Sequence, residues 1–300
     1  MGCARRAICH LGGMSLSASD RQARRVARYY RWLDGLSWFH ERRGEAGHGA
    51  IPVHRALADP EGGEPSPLVI HRLMLEGLEL PAAPRVLDAG CGYGATMLDL
   101  APRLGGDWTG LTLSPVQAAR GMAEVAARGL AGRVRIEVRS YDAPPAGPHD
   151  LVYGIESLIH SADPARTVAA LSATLAPGGH LVVVDDMPEE RLPLEAADRL
   201  ARFRRFWRCP VAPTREGWIA AARAAGLDLV AERDLNPLLQ VRGMAELGPV
   251  IADLERRARL PRLLGLGVRR EAEIGGRILE TLQMDGHVHY RVLAFCRHER

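Results

Sequence analysis

After residue 84 the chain settles into a regular beat of short apolar runs and longer amphipathic stretches. RVLDAG (85–90) reads as a buried strand, broken by a glycine turn into a helix that reaches Leu100. WTGLTL (108–113) is a second strand, followed by a helix over 115–128. RVRIEV (133–138) and HDLVYGI (149–155) are the third and fourth strands. A helix over 164–175 ends at Pro177-Gly178-Gly179, and HLVVVDD (180–186) is the fifth strand. Short apolar strands alternating with helices predict an α/β fold built on a doubly wound parallel sheet.

On either side the pattern loosens. Residues 20–33 are arginine-rich with helical spacing, and Tyr29 and Tyr30 lie near their end. The stretch 38–59, dotted with glycine and histidine, reads as irregular, and 67–78 returns to a helical pattern with proline in its first turn. Beyond 186, residues 189–207 are helical and carry Phe203, Phe206 and Trp207, and 214–225 is another helix. LDLVAERD (227–234) is a sixth strand, two arginine-rich helices follow between 244 and 282, and HVHYRVLAFC (287–296) is a seventh strand.

Composition narrows the chemistry. The 300 residues allow one large domain or two small ones, and 47% hydrophobic residues suffice for a sizeable core. A net charge of +3 argues against a protein whose work is gripping phosphate backbones, so no nucleic-acid partner is expected. No lysine occurs, so all 39 basic residues are arginine. That excludes a P-loop lysine, a pyridoxal-phosphate Schiff base and a lysine general base. Cys3, Cys9, Cys91, Cys209 and Cys296 are scattered without a C-x-x-C pair, which suggests neither a disulfide framework nor a zinc site and fits a reducing cytoplasm. No apolar run approaches the ~20 residues that span a bilayer. The first fourteen residues do not resemble a signal peptide; they read as a loose tail, with Met14 as an alternative start.

The glycine turn carries the first functional signal. In LDAGCGYG, Asp88 follows the strand, and Gly90, Gly92 and Gly94 lead into the helix. Glycine is needed where the backbone turns tightly and a cofactor lies against it. The spacing is G-x-G-x-G, not the nicotinamide G-x-G-x-x-G, and the second strand ends in Thr112 and Leu113 rather than in the acid that NAD requires about 20 residues on.

From Arg85 to Asp186, about a third of the chain, the sequence resembles the cofactor core of class I S-adenosylmethionine (AdoMet)-dependent methyltransferases. The resemblance implies a Rossmann-like, mostly parallel seven-stranded sheet, with Asp88, Gly90, Cys91, Gly92 and Gly94 holding the methionyl part of AdoMet. GLTLSPVQ (110–117) is similar to the G-x-T-L-S-x-x-Q of cyclopropane fatty-acid synthases, sterol methyltransferases and geranyl diphosphate C-methyltransferases. That implies Thr112 and Gln117 at the ribose in place of a carboxylate. Ser140, Tyr141 and Asp142 stand where the family flanks the adenine, with the bonding member left open.

Open α/β sheets bind ligands beyond the carboxyl ends of their strands, which places Glu156 and His160, just past the fourth strand, at the cleft. YGIESLIHSADP (153–164) resembles the I-E-x-x-x-H-A-P of sterol methyltransferases and shares its glutamate with geranyl diphosphate methyltransferases. An alkene acceptor needs a base to remove a proton, and an oxygen or nitrogen acceptor needs deprotonation; Glu156 and His160 serve either. The amino-terminal part resembles the lid of the isoprenoid methyltransferases, including the run from Arg55 to Glu61, with Tyr29 and Tyr30 either closing over AdoMet or packing their helix on the sheet. His40, His48 and His54 have no metal-ligand spacing and are expected to be solvated loop residues. LERRARLPRLLGLGVRR (254–270) reads as an amphipathic helix with a solvated arginine face; a diphosphate clamp and a membrane-surface helix are its sharper alternatives.

The expected organisation is an amino-terminal tail and helical lid (1–80), an AdoMet-binding core (81–186), and the rest of the sheet with helical insertions at 189–207 and 244–282 (187–300). The expected activity is methyl transfer to a small, hydrophobic natural-product or isoprenoid substrate, with C-methylation favoured. The alternatives are O- or N-methylation of a small metabolite and a non-catalytic AdoMet-fold binding protein. No metal is expected unless the substrate is a diphosphate, and association into a homo-oligomer is left open.

Overall fold

The computed structural model describes residues 17–35, 54–258 and 266–298. Helix α1 spans Ala18–Gly35 and the short α2 Val69–Leu73. They precede β1 (Arg85–Ala89), α3 (Ala95–Leu104), β2 (Asp107–Thr112), α4 (Pro115–Ala127) and β3 (Val134–Val138). Next come β4 (His149–Ile155), α5 (Pro164–Ser172), β5 (Leu175–Pro188), α6 (Leu194–Trp207), α7 (Arg215–Ala224) and β6 (Leu227–Asp234). The last elements are α8 (Met244–Ala258), α9 (Leu266–Met284) and β7 (Val288–Arg297). The seven strands form one sheet in the order β3-β2-β1-β4-β5-β7-β6, parallel except for β7, which runs antiparallel to both neighbours. The mostly parallel seven-stranded sheet read from the sequence is therefore present.

Alternation along the strands explains the layering. Val86, Leu151 and Val182 pack on one face with Met97, Leu98 and Ala101 of α3. Their neighbours Leu87, Val152 and Leu181 point to the other face, against Val168 and Leu171 of α5 and Trp218 of α7. The strand order reverses at β1, because β2 and β3 lie to one side and β4 to the other. Such a switch point opens a crevice at the carboxyl ends of the strands, where both the glycine turn and Glu156 lie.

A third apolar cluster joins α6, α8 and α9 above the strand ends, through Phe203, Phe206, Leu247, Ile251, Ile278 and Leu282, and reaches Ile159 behind β4. Trp207 of α6 donates its indole N–H to the Ala272 carbonyl at 2.9 Å. A Cβ on Gly275 would stand 2.4 Å from that indole, so the close crossing of α6 and α9 depends on glycine there. Arg256 and Arg257 at the end of α8 are exposed and pair with Asp253, as expected of a solvated face. Residues 259–265 of the same stretch lie outside the described residues.

Three boundaries differ from expectation. The helix expected over 164–175 stops at Ser172, and β5 begins at Leu175, running through Pro177-Gly178-Gly179. These residues fall in the register shift between His149 and Leu151, ahead of the β7 pairing that starts at His180. A proline lacking its N–H is tolerated where the ladder is interrupted. The helix expected over 67–78 shrinks to Val69–Leu73. The helix expected from 189 begins at Leu194 behind Pro193, because Glu189 still donates its N–H to His287 across the sheet margin.

Candidate active site

The glycine turn is held from both sides. Cys91 donates its N–H to the Leu111 carbonyl at 2.8 Å, and Gly94 donates to Cys91 at 2.8 Å, at the start of α3. Gly90 has φ 114°, and a Cβ there would lie 2.4 Å from Ser157 Cβ. Ser157 in turn donates its hydroxyl to the Ala89 carbonyl at 2.6 Å, so the turn after β1 and the segment after β4 are pressed together. Asp88 is almost fully buried and accepts from the Tyr153 hydroxyl at 2.8 Å. Burial pushes its carboxyl up to about 7, against the opposing effect of that hydrogen bond.

The pair expected at the ribose is preformed. Thr112 donates its hydroxyl to Gln117 Oε1 at 2.7 Å and accepts from the Ser114 N–H at 3.2 Å. Ser114 caps α4 by accepting from the Gln117 N–H at 3.3 Å. Gln117 is buried rather than solvated. Past β3, Ser140 accepts from the Asp142 N–H at 3.1 Å, and Tyr141 donates to the Ser157 carbonyl at 3.3 Å. Asp142 accepts from the Thr167 hydroxyl, which also bonds Ser161 at 2.7 Å. Tyr141 and Asp142 thus reach the segment after β4 and α5, while Ser140 holds the turn between them and β3.

Past β4 the chemistry becomes ionic. Glu156 has φ 51°, a left-handed backbone uncommon for a non-glycine residue, and its N–H donates to Val184 at 2.8 Å. Its Oε1 accepts from the Arg55 N–H at 3.3 Å, from Arg55 Nε at 3.1 Å and from the Tyr290 hydroxyl at 3.0 Å. Arg55 also grips Asp186 with both terminal nitrogens, at 3.0 and 2.7 Å, and its guanidinium lies 4.4 Å from the Tyr290 ring centre. Gln283 of α9 donates to the same Asp186 carboxylate at 2.7 Å. Burial works to raise Glu156, yet Arg55, His54 and Tyr290 outweigh it and hold the carboxylate below its ordinary range. Burial raises Asp186 despite Arg55, and burial raises Asp185 well above the carboxylate range, with Asp186 beside it adding to the shift.

His160 belongs to a different, neutral group. Its Nε2 lies 3.0 Å from the Tyr30 hydroxyl and its Nδ1 3.8 Å from Cys209 Sγ. Burial pushes the imidazole down to about 4. Helix α1 docks here twice, because Gln22 also donates to the carbonyls of His160 and Arg208, at 3.1 and 2.7 Å. Tyr30 meets His160 edge-on at 5.7 Å, and Tyr29 meets Tyr30 edge-on at 5.4 Å. Tyr29 itself is buried and packs with Ala272 of α9, so α1 rests on the helical cap rather than on the sheet. Glu156 and His160 are thus separated into an ionic and a neutral group, with no hydrogen bond between them among the described contacts.

Sequence reasoning missed Arg55, Asp186, Tyr290, Gln283 and Gln22. A paired acid at the end of the apolar run VVVDD was the available signal, since buried carboxylates demand a cation. The expectation of a solvated His54 is wrong: its ring is half-buried and bonds Thr96 at 3.1 Å. The packing of α3 beneath it supplies a partner that no local pattern shows. His40 and His48 lie outside the described residues. Among the described residues no group of three or more His, Cys, Asp or Glu is placed to hold a metal, and no helix is long and apolar enough to cross a membrane.

Comparison with known proteins places this geometry among relatives. A family described as methyltransferase domain matches residues 54–232, more than half of the chain. Tocopherol O-methyltransferase of Arabidopsis thaliana is 40% identical over 102 residues, which is 33% of this chain and 29% of that protein. The chain spans about a third of the length of the plant relatives it matches. A solved geranyl diphosphate methyltransferase, in complex with geranyl diphosphate and sinefungin, superposes with a TM-score of 0.68 at 22% identity, covering 92% of this chain and 99% of that one. The [4+2]-cyclase SpnF superposes with a TM-score of 0.69 at 21% identity, covering 93% and 97%. At such identities the two structures share the fold, and a cyclase among them shows that the fold does not dictate the reaction.

Proposed function

Because the chain belongs to the methyltransferase domain family, we propose that it transfers a methyl group from AdoMet to carbon of a small, hydrophobic acceptor of natural-product or isoprenoid type. The observation that carries this reading is the contact between the glycine turn and the Glu156 segment at the switch point, made through Gly90 and Ser157. The residues fit the cofactor. The turn presents backbone free of side chains at Gly90, Gly92 and Gly94, all at positive φ, beside Asp88 and Cys91 for the methionyl part. Thr112 and Gln117 serve the ribose, and Ser140, Tyr141 and Asp142 the adenine. When bound, AdoMet supplies a methyl group already activated on a sulfonium, so the protein's work is alignment and exclusion of water.

Glu156 decides between acceptors. Arg55 and Tyr290 keep it ionised, which makes it a weak base. A weak base does not ionise a phenol, but it readily takes the strongly acidic proton beside a carbocation, and its charge favours that cation. Methylation of an alkene carbon is the chemistry such a group serves. The guanidinium of Arg55 is paired with two carboxylates, Glu156 and Asp186, which offset its charge and disfavour a role as a phosphate clamp. Neutral His160 holds the Tyr30 hydroxyl, and Tyr29 and Tyr30 close the site through α1.

The test is incubation with methyl-labelled AdoMet and a panel of prenyl diphosphates, sterols, phenols and amines, with mass spectrometry of the product. A new C–CH3 bond is expected; label on oxygen or nitrogen overturns C-methylation, and no product with any acceptor counts against the activity. Glu156→Gln is expected to lower turnover about 100-fold while the AdoMet dissociation constant stays near wild type. Undiminished turnover would remove Glu156 from the chemistry.

A further inference from the structure

Helix α1 has two faces of opposite character. Ser19, Gln22, Val26 and Tyr29 are buried, and the helix packs against α9 and α4. Gln22 and Tyr30 tie it to His160, just past the carboxyl end of β4, so α1 lies at the end of the sheet where the site opens. Arg21, Arg24, Arg25, Arg28 and Arg31 are all exposed. At 100° per residue their spacing gathers them into one stripe on the side away from the buried residues.

This stripe is short of countercharge. The only acid between residues 18 and 33 is Asp20, which accepts from the Ser17 hydroxyl at 2.7 Å. Among the described residues no ion pair takes Arg24, Arg25, Arg28 or Arg31, although Asp20 lies one turn before Arg24. Elsewhere on the surface Arg72 meets Asp59, Arg215 meets Glu232, Arg242 meets Glu280 and Arg257 meets Asp253. A chain with a net charge of only +3 thus concentrates unpaired positive charge on one helix face. Such a face attracts a polyanion, and the attraction is screened by salt.

We propose that the arginine face of α1 docks the protein on an anionic lipid bilayer. The choice of a bilayer rests on the reading above of a hydrophobic acceptor, because such a molecule partitions into membranes and the helix that would touch the surface is the one covering the site. Apolar side chains support the choice. Val116, in the first turn of α4, and Val138, at the carboxyl end of β3, are 40% and 56% exposed at the same end of the sheet. A phosphate backbone in water offers valine nothing, whereas a bilayer takes arginine at its headgroups and apolar side chains beneath them. The buried face of α1 stays on the protein, so docking is peripheral and reversible.

The test is co-sedimentation of the full chain with lipid vesicles, without AdoMet or acceptor. Binding is expected to vesicles of phosphatidylglycerol and phosphatidylcholine in equal parts, to weaken as sodium chloride is raised, and to be absent with phosphatidylcholine alone. Arg24→Gln with Arg28→Gln is expected to weaken it about tenfold or more. Arg25→Gln with Arg31→Gln repeats the loss on the same face. Arg133→Gln with Arg135→Gln, exposed at the opposite end of the sheet, removes the same charge and is expected to bind like wild type. Wild type that stays in solution with the anionic vesicles overturns the proposal. So does an equal loss in the α1 and β3 variants, which would reduce the effect to net charge, and so does tighter binding to an RNA duplex than to the vesicles. A protein that docks but methylates no acceptor of the labelled-AdoMet panel sinks the methyl-transfer reading and leaves the docking surface standing.

Discussion

The two sides of the candidate site are built by opposite means. On the β1–β2 side the groups are neutral and bonded to near neighbours in sequence: Thr112 to Gln117 across five residues and Gln117 to Ser114 across three. On the β4–β5 side the groups are charged and come from distant stretches, with Arg55 separated from Glu156 by 101 residues and from Asp186 by 131. The first side is a local shape that its own segment forms. The second is a desolvated ion cluster that exists only once the sheet, the segment before α2 and α9 have met. The difference predicts brittleness on one side and tolerance on the other.

The largest effect is expected on the ionic side. Arg55→Ala leaves Glu156 and Asp186, with side chains only 16% and 3% exposed, without their cation. Removing one partner of a buried ion pair costs about 3–5 kcal/mol, to be read by urea unfolding. A loss within about 0.5 kcal/mol would show that the cluster is solvated and would erase the contrast.

A second effect separates the buried acid of the glycine turn from both groups. The Asp88 carboxyl is raised to about 7 in the folded chain, so folding favours its protonated form. Below the unfolded pKa near 4 both states are protonated and nothing is lost. As pH rises from about 4 to 7 the unfolded chain ionises this carboxyl while the folded chain keeps it protonated, and stability falls by an amount on the order of 4 kcal/mol. Asp88→Asn keeps the shape and is expected to flatten that decline in unfolding curves measured from pH 4 to 8. An equally steep decline in the variant would assign it to other groups.

The smallest effect belongs to the neutral side. Gln117→Ala removes the acceptor of the Thr112 hydroxyl and is expected to weaken AdoMet binding by about 1 kcal/mol, measured by calorimetry. A loss as large as that of Arg55→Ala would mean that the two sides are energetically alike.

The same contrast decides what could be read in advance. The glycine turn and the strand–helix alternation were legible, because each depends on backbone conformation or spacing within a few residues, and Thr112 and Gln117 were picked out together by the resemblance of their short motif. The position of Glu156 past β4 was legible as well, from the rule that ligands lie beyond strand ends. Its partners were not. Arg55 appeared in a loop run, Tyr290 as one more alternating residue of a last strand, and His54 as a loop histidine with nothing to bond.

The sequence by itself determined the order of strands and helices, the turn at Gly90 and the fold family, since periodicity and positive-φ positions are short-range requirements. The tertiary structure alone decided that Arg55 lies between Glu156 and Asp186, that His160 stays neutral beneath Tyr30, and that His54 is tied to Asp99 through Thr96 and His71. The physical reason is desolvation. A charge or imidazole acquires its working state from whichever distant groups are buried with it, and that company is set by packing and not by neighbours along the chain.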